Sequence, residues 1–171
     1  MVRLLIITGS MGAGKSAVLA EASDILSLRH IVHAAIDVDS LFLGYVQSGA
    51  NNDDLLYSNL RSVCDNYSAA GMRRFLLARA LETRSQLDFC RQITLATDTA
   101  VCRLTAGIGT MQRRIKKRES GILQRQLVAR IDELSSILDR AHLDDFKVTN
   151  QNRSLNEVAL EVLTKAGWLS N

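Results

Sequence analysis

The chain has 171 residues, 47% of them hydrophobic and 23% charged, which is the composition of a globular domain with a sizeable core and excludes a disordered or fibrous chain. A net charge of +3 is too small to argue for a nucleic-acid binder by itself, and no apolar run approaches the ~20 residues of a membrane span. Cys64, Cys90 and Cys102 are odd in number and scattered on apolar stretches, so they read as reduced core thiols and not as a disulfide set or a metal site.

His30, His33 and His142 show no ligand spacing. The N-terminus passes directly into an apolar run with no signal-peptide pattern, so the expectation is a cytoplasmic protein with no membrane partner. Proline, low-complexity segments, internal repeats and linkers are all absent from the sequence, which predicts one domain over residues 1–171.

The first predicted element is a buried strand over Val2–Thr8, carried by Leu4-Leu5-Ile6-Ile7. Directly after it, Gly9-Ser10-Met11-Gly12-Ala13-Gly14-Lys15-Ser16 fits G-x-x-x-x-G-K-[ST] without mismatch, and a helix from Lys15 to Leu28 follows. Strand, glycine loop and helix N-terminus make an anion cradle, because the first helical N–H groups lack partners and the helix dipole adds partial positive charge. Gly9, Met11, Gly12, Ala13, Gly14, Lys15, Ser16 and Ala17 are therefore the expected nucleotide-binding residues. Lys15 can reach the β- and γ-phosphates of ATP, and the Ser16 hydroxyl can ligate Mg²⁺. A dinucleotide-binding turn is also glycine-rich, but it has no use for Lys-Ser at the end of the loop.

A second strand over Ile31–Ile36 ends in Asp37-Val38-Asp39. Alternation along an extended segment predicts that both carboxylates project to one side. A triphosphate with Mg²⁺ needs a carboxylate that holds metal-bound water, and a phosphoryl acceptor needs one that orients its hydroxyl and takes its proton. The competing reading is that Asp39 caps a helix starting at Ser40. A long helical stretch from Asp39 to about Ala70 follows, broken at the Gly/Asn-rich Gln47–Asn52, with Asp53-Asp54 as a cap for its second half. Strand three is expected over Arg74–Ala78; beyond it Arg79, Glu82 and Arg84 are single charges that a solvated loop explains as well as a site does. A short helix capped by Thr83 leads to strand four, Ala100–Thr105.

Helices over Gly109–Arg118 and from Gly121 to about His142 come next. The first carries Arg113-Arg114-Ile115-Lys116-Lys117-Arg118, in which Arg114 and Arg118 share one face and Arg113 and Lys117 another. An anion would offset the repulsion within each pair, so phosphates of a bound nucleotide are one use for this run. Bases would need aromatic residues to stack on and none are interleaved, which argues against a nucleic-acid partner. Strand five over Phe146–Thr149 is followed by the polar loop Asn150–Arg153, and the capping box Ser154-Leu155-Asn156-Glu157 opens a last helix ending at Gly167. Alternation of strands and helices predicts an α/β fold, a parallel sheet with helices on both faces, with its ligands at the carboxyl ends of the strands.

These residues, in this order, resemble the P-loop small-molecule kinases related to nucleoside monophosphate kinases: gluconate kinase, shikimate kinase, adenylylsulfate kinase and chloramphenicol phosphotransferase. The chain is also similar to bacterial P-loop kinases and ATPases whose acceptor is not assigned. The resemblance rests on Gly9–Ser16, on the D-x-D of Asp37-Val38-Asp39, and on Arg114-Ile115-Lys116-Lys117-Arg118 as the R-[LI]-x-x-R of a lid. It implies a three-layer sandwich with a five-stranded parallel sheet in order 2-3-1-4-5. It also implies a lid over about 109–121 and an acceptor-covering segment over about 39–70. Asp37 would then stand near Mg²⁺-bound water, Asp39 near the acceptor hydroxyl, and Arg114 and Arg118 would close on the nucleotide. After strand three the chain reads Ala78-Arg79-Ala80-Leu81-Glu82, which departs from the glycine cluster or aspartate of those families, so the resemblance does not name the acceptor.

Two function classes follow. One is an ATP-dependent phosphotransferase acting on a small hydroxylated acceptor; the other is a switch-type ATPase with a macromolecular partner. A switch ATPase has an apolar strand ending in an acid at strand three, whereas Phe75-Leu76-Leu77-Ala78-Arg79 has none before Glu82. Residues Ile31 through Leu60 hold no Lys or Arg, while Asp37, Asp39, Asp53 and Asp54 make this segment acidic and Phe42 and Tyr45 add apolar surface. A phosphorylated acceptor needs arginines, so the balance favours a neutral or cationic hydroxylated compound.

Overall fold

The computed structural model describes residues 1–44 and 52–169. Five strands form one parallel sheet in the order β2-β3-β1-β4-β5: β1 Arg3–Thr8, β2 Ala34–Asp37, β3 Arg74–Ala78, β4 Asp98–Thr105 and β5 Phe146–Thr149. The helices are α1 Lys15–Leu28, α2 Asn52–Ala69, α3 Arg84–Thr94, α4 Ile108–Arg118, α5 Gly121–Ala141 and α6 Leu155–Lys165. This is the expected α/β architecture with the expected strand order.

Period-two alternation along β1 builds two cores, one on each face of the sheet. Leu5 and Ile7 point to one face, where they meet Val18 and Leu26 of α1, Val158 and Val162 of α6, and Met111, Ile115 and Ile131 from α4 and α5. Leu4 and Ile6 point to the other, where they meet Leu56 and Leu60 of α2 and Leu87 and Cys90 of α3. Leu5, Ile6 and Ile7 are fully buried, and each such side chain contributes about 1.5–3 kcal/mol. The central strand is thus packed on both faces, and the glycine loop begins at its carboxyl end.

Several boundaries differ from expectation. β2 starts at Ala34 and not at Ile31, because the Ile31 amide donates to the Leu26 carbonyl and closes the end of α1. At the start of the predicted helical stretch from Asp39 the chain is instead a 3₁₀ turn over Val38–Leu41 followed by extended backbone at Phe42, and the long helix of the described residues spans Asn52–Ala69. The predicted break at Gln47–Asn52 lies outside the described residues up to Asn51, as does Tyr45. Asp53 and Asp54 sit in the first turn of α2, where the helix dipole favours negative charge.

The predicted capping box at α6 forms, and the predicted Thr83 cap turns out to be a box as well. Thr83 and Gln86 bond reciprocally at the start of α3, as Ser154 and Glu157 do at α6. Gly167 has φ +66 just beyond α6, the left-handed geometry that a helix-ending glycine supplies.

Candidate active site

The loop after β1 packs tightly enough to demand its glycines. Gly12 and Gly14 have φ +75 and +100; a Cβ on Gly12 would lie 2.6 Å from the Met111 carbonyl oxygen, and one on Gly14 would run into the Asn150 side-chain amide. Gly14 is the N-cap of α1, no side chain caps the helix, and its first turn holds no acid. The opening amides of α1 therefore have no partner within the helix. Gly12, Gly14, Lys15, Ser16, Ala17 and Met11 line a cleft of about 760 Å³. Gly9 and Ala13 stand behind the cleft wall and not on it; Gly9 contributes its carbonyl to Lys15, and the Ala13 carbonyl accepts from the Asn150 amide at 2.8 Å.

Lys15 lies folded over its own loop, its Nζ donating to the Gly9 carbonyl at 3.1 Å and the Ser10 carbonyl at 3.4 Å. Burial holds its pKa below the ordinary lysine value; the charges of Asp39 and then Asp37 oppose that shift, and Arg118 adds to it. The same cleft thus collects the loop lysine, both acids and a lid arginine.

Asp37 and Asp39 both line the cleft, but strand alternation is not the reason. Asp37 is the last residue of β2, Val38 turns fully into the core, and the 3₁₀ turn brings Asp39 back to the open side. Ser40 closes the turn, its Oγ donating to the Asp37 carbonyl at 2.6 Å. Asp39 is thus within this turn and not the cap of an α-helix.

Arg79 is the principal residue that sequence reasoning missed. The solvated-loop reading does not hold for it: it is 7% exposed at the carboxyl end of β3. Its Nη1 donates to Asp39 Oδ1 and its Nη2 to Asp53 Oδ1, each at 3.2 Å, and its guanidinium lies 5.2 Å from the centre of the Tyr57 ring. Glu82 and Arg84 do sit nearer the surface, paired with Arg130 at 3.1 Å and Asp88 at 3.5 Å. The usable signal was a cation placed where a parallel sheet presents ligands, opposite a segment with four acids and no Lys or Arg.

A second cavity of about 520 Å³ opens between α2 and α3, with Asp53, Tyr57, Arg61, Gln86 and Phe89 among its walls. The Tyr57 and Phe89 rings pack at 5.3 Å. Burial pushes the Tyr57 phenol up to about 12 against the opposing pull of the Arg79 charge. Arg61 is the one cation among the described residues lining this cavity.

On α4 the basic run divides by face. Arg114 Nη1 donates to the Gly12 and Ala13 carbonyls at 3.1 and 3.3 Å, and its Nη2 to the Asn150 carbonyl at 2.9 Å, so it straps the glycine loop to the loop after β5. Arg118 lines the cleft and pairs with Glu119 at 2.8 Å. Arg113 bonds Thr110 instead, and Lys116 and Lys117 face outward. Met111 and Ile115 are buried in the core, so α4 is anchored at its base and not hung as a free flap.

Asn150, absent from the sequence-based site residues, is 2% exposed and lines the cleft with Leu127 and Leu155. Its only sequence signal was its place in a polar loop after β5.

The donor set fits a nucleoside triphosphate with Mg²⁺. Unpaired helix amides and Lys15 suit phosphate, and the Ser16 hydroxyl and Asp37 carboxylate are hard oxygen donors in the same cleft. Among the described residues no group of three or more His, Cys, Asp and Glu is arranged to hold a metal ion, the three cysteines are buried and unpaired, and no helix is long and apolar enough to cross a membrane.

No family model matches this chain, and no curated protein matches its sequence. Solved structures do match its fold. The APS kinase of Mycobacterium tuberculosis, solved in complex with AMPPNP and APS, superposes with a TM-score of 0.63 at 20% identity, covering 95% of this chain and 96% of that one. A gluconokinase from Sinorhizobium meliloti gives 0.62 at 17% identity over 96% and 91% of the two chains. Shikimate kinase from Acinetobacter baumannii, in complex with shikimate, gives 0.59 at 15% identity over 96% and 93%. The chain has the fold of the P-loop small-molecule kinases along nearly its whole length.

Proposed function

We propose that the protein is an ATP-dependent phosphotransferase that moves the γ-phosphoryl group of ATP·Mg²⁺ to a hydroxyl of a small acceptor. One observation carries the reading: the acid pair at the end of β2 lines the same cleft as Lys15 and the free end of α1. A switch ATPase would need an acid at the end of β3, and that position holds Arg79, with Glu82 turned to Arg130. The fold shared with APS kinase, gluconokinase and shikimate kinase supports the same class.

In this mechanism the amides at the start of α1 and the Lys15 ammonium hold the β- and γ-phosphates, and Arg118 faces the charge that develops on the transferring group. Ser16 and Asp37 would hold Mg²⁺, which would neutralise phosphate charge there. Asp39 receives the acceptor's hydroxyl proton as its oxygen bonds to the γ-phosphorus and the bond to the β,γ-bridging oxygen breaks, leaving ADP. Arg114 keeps the loop in shape.

The acceptor is neutral or cationic and not phosphorylated. Both Nη groups of Arg79 are spent on carboxylates, and the second cavity offers Arg61 against Asp53 and Asp54.

A screen of hydroxylated metabolites and antibiotics for ATP-dependent phosphorylation tests the reading. With an acceptor in hand, Asp39→Asn should cut transfer by roughly 10²–10⁴ while ATP affinity stays within a few-fold. If no compound is phosphorylated and Asp39→Asn leaves slow ATP hydrolysis unchanged, the switch-type ATPase is the better account.

A further inference from the structure

Arg79 joins three segments that are distant in sequence: the turn after β2 through Asp39, the first turn of α2 through Asp53, and the end of β3 that carries it. Its side chain is 9% exposed, whereas those of Asp39 and Asp53 are 59% and 48% exposed. Two half-exposed carboxylates need no buried cation, because water solvates them. Burying a guanidinium to meet them costs desolvation, and the cost is raised here because Nε is buried without a hydrogen-bond partner among the described residues. Stability alone is a poor reason for such an arrangement. Position is a better one.

Asp39 has one oxygen committed and one open. Oδ1 accepts from Arg79, and Oδ2 carries no hydrogen bond among the described residues. Asp39 lines the nucleotide cleft and Asp53 lines the second cavity, so the guanidinium stands where the two meet. It is backed by the Tyr57 ring, which leans in turn on Phe89 of α3. A planar fork with two parallel donors fixes two carboxylates at a set distance and angle, which a lysine's point charge does not do.

We infer that Arg79 is the positioning residue of the phosphoryl transfer: it holds Asp39 with Oδ2 turned to the incoming hydroxyl and holds α2, through Asp53, as the wall against which the acceptor rests. This rests on the kinase reading above. Misplacing a catalytic group by about 1 Å costs up to about a hundredfold in rate, so the effect belongs on turnover and not on nucleotide binding. Arg79 does not line the cleft, so nucleotide affinity should not respond.

Water can take the acceptor's place, so slow hydrolysis of ATP·Mg²⁺ is the probe that needs no acceptor. Arg79→Ala, Arg79→Lys and Asp39→Asn are compared with wild type for kcat and KM of hydrolysis, affinity for AMPPNP·Mg²⁺, and thermal midpoint. The expected result is that Arg79→Ala lowers kcat by roughly 10- to 100-fold with KM and AMPPNP affinity unchanged. Millimolar guanidinium, added to that variant, restores part of kcat and has no such effect on wild type, while Arg79→Lys stays well below wild type.

Three results would overturn the inference. One is a normal kcat in Arg79→Ala while Asp39→Asn is slow, which leaves the kinase reading standing. Another is a loss that follows the thermal midpoint, is fully repaired by Arg79→Lys and is indifferent to guanidinium, which makes Arg79 a structural strut. The third is no effect of Asp39→Asn, which removes the inference together with the reading beneath it.

Discussion

The cleft proposed for the nucleotide and the neighbouring region proposed for the acceptor are built by different means. On the proposed nucleotide side the frame is backbone, with Lys15, Ser16, Asp37 and Arg118 adding side chains to it: a glycine loop whose Gly12 and Gly14 hold positive φ, uncapped helix amides, and carbonyls strapped by Arg114. On the proposed acceptor side the parts are side chains: Asp39, Arg79 and Asp53 in a chain of ion pairs, with Tyr57 and Phe89 behind. Backbone geometry admits few sequences, because a Cβ at Gly12 has nowhere to go. Side-chain geometry can be rebuilt with other residues on the same frame. A shared phosphate donor with a variable acceptor is what this division would produce.

The largest test of the difference is Lys15→Ala. Lys15 would make charge-assisted contacts to two phosphates, each worth about 1.5–3 kcal/mol, so affinity for AMPPNP·Mg²⁺ should fall by roughly 10²–10⁴ in a calorimetric titration. The fold should survive, since the variant removes a partly buried ammonium that now bonds only two loop carbonyls. Undiminished affinity would mean that the loop does not hold phosphate and that the contrast between the halves has been drawn in the wrong place.

The same contrast explains what could be read from the sequence. The glycine loop, the Ser154–Glu157 capping box, the Thr83 cap and the pairing of Arg114 with Arg118 on one face were legible, because each is set by local chemistry at fixed spacing, whereas the strand order came from the family resemblance and not from any local signal. Arg79 was not. Its role depends on Asp39 and Asp53 arriving from elsewhere in the chain, and no local spacing records that meeting. The 3₁₀ turn at Val38–Leu41 was missed for a related reason: helical composition from Asp39 onward was overridden where Val38 is drawn into the core and Ser40 bonds back to Asp37. Asn150 was visible only as a polar loop residue, although the close approach of Gly14 to its side chain ties the first loop of the chain to the last.

Alkaline pH should separate the two cores. Burial raises Cys64 to about 12, Cys90 to about 11 and Tyr57 to about 12, and all three belong to or pack on the α2–α3 core; on the α1–α6 side only Cys102, at about 12, is raised in this way among the described residues. An acid whose pKa rises on folding stabilises the fold while protonated. That contribution is whole below the unfolded values of 9.0 for the thiols and 10.0 for the phenol, and is lost as pH climbs through about 11 to 12. The α2–α3 side should therefore loosen first. Trp168, the single tryptophan of the chain, is buried in the other core and reports on it by fluorescence. Tyrosinate absorbance, taken as the difference between wild type and Tyr57→Phe, reports on the first. A single transition at one pH in both signals would refute the ordering.

The smallest expected effect is also the most selective. Thr83 and Ser154 do the same local work, each accepting from the backbone N–H three residues on, at 3.3 and 3.2 Å. Each is answered in return, Gln86 Oε1 accepting from the Thr83 amide at 3.3 Å and Glu157 Oε2 from the Ser154 amide at 2.9 Å. Replacing either by alanine should cost about 1 kcal/mol, a fall of roughly 2–4 °C in thermal midpoint for a chain of this size. The helices they open face different cavities, however. Ser154 precedes Leu155, which lines the nucleotide cleft, whereas Thr83 and Gln86 line the cavity between α2 and α3. Fraying at α6 should thus weaken AMPPNP·Mg²⁺ binding by about twofold, a fraction of the cap's own energy. Fraying at α3 should leave that affinity unchanged and raise the KM of the acceptor instead. Equal losses of stability with opposite partners affected would show that the two cavities are energetically separate rooms joined at Arg79. If both variants shift nucleotide affinity alike, the cleft responds as one body and the division into halves does not extend to its energetics.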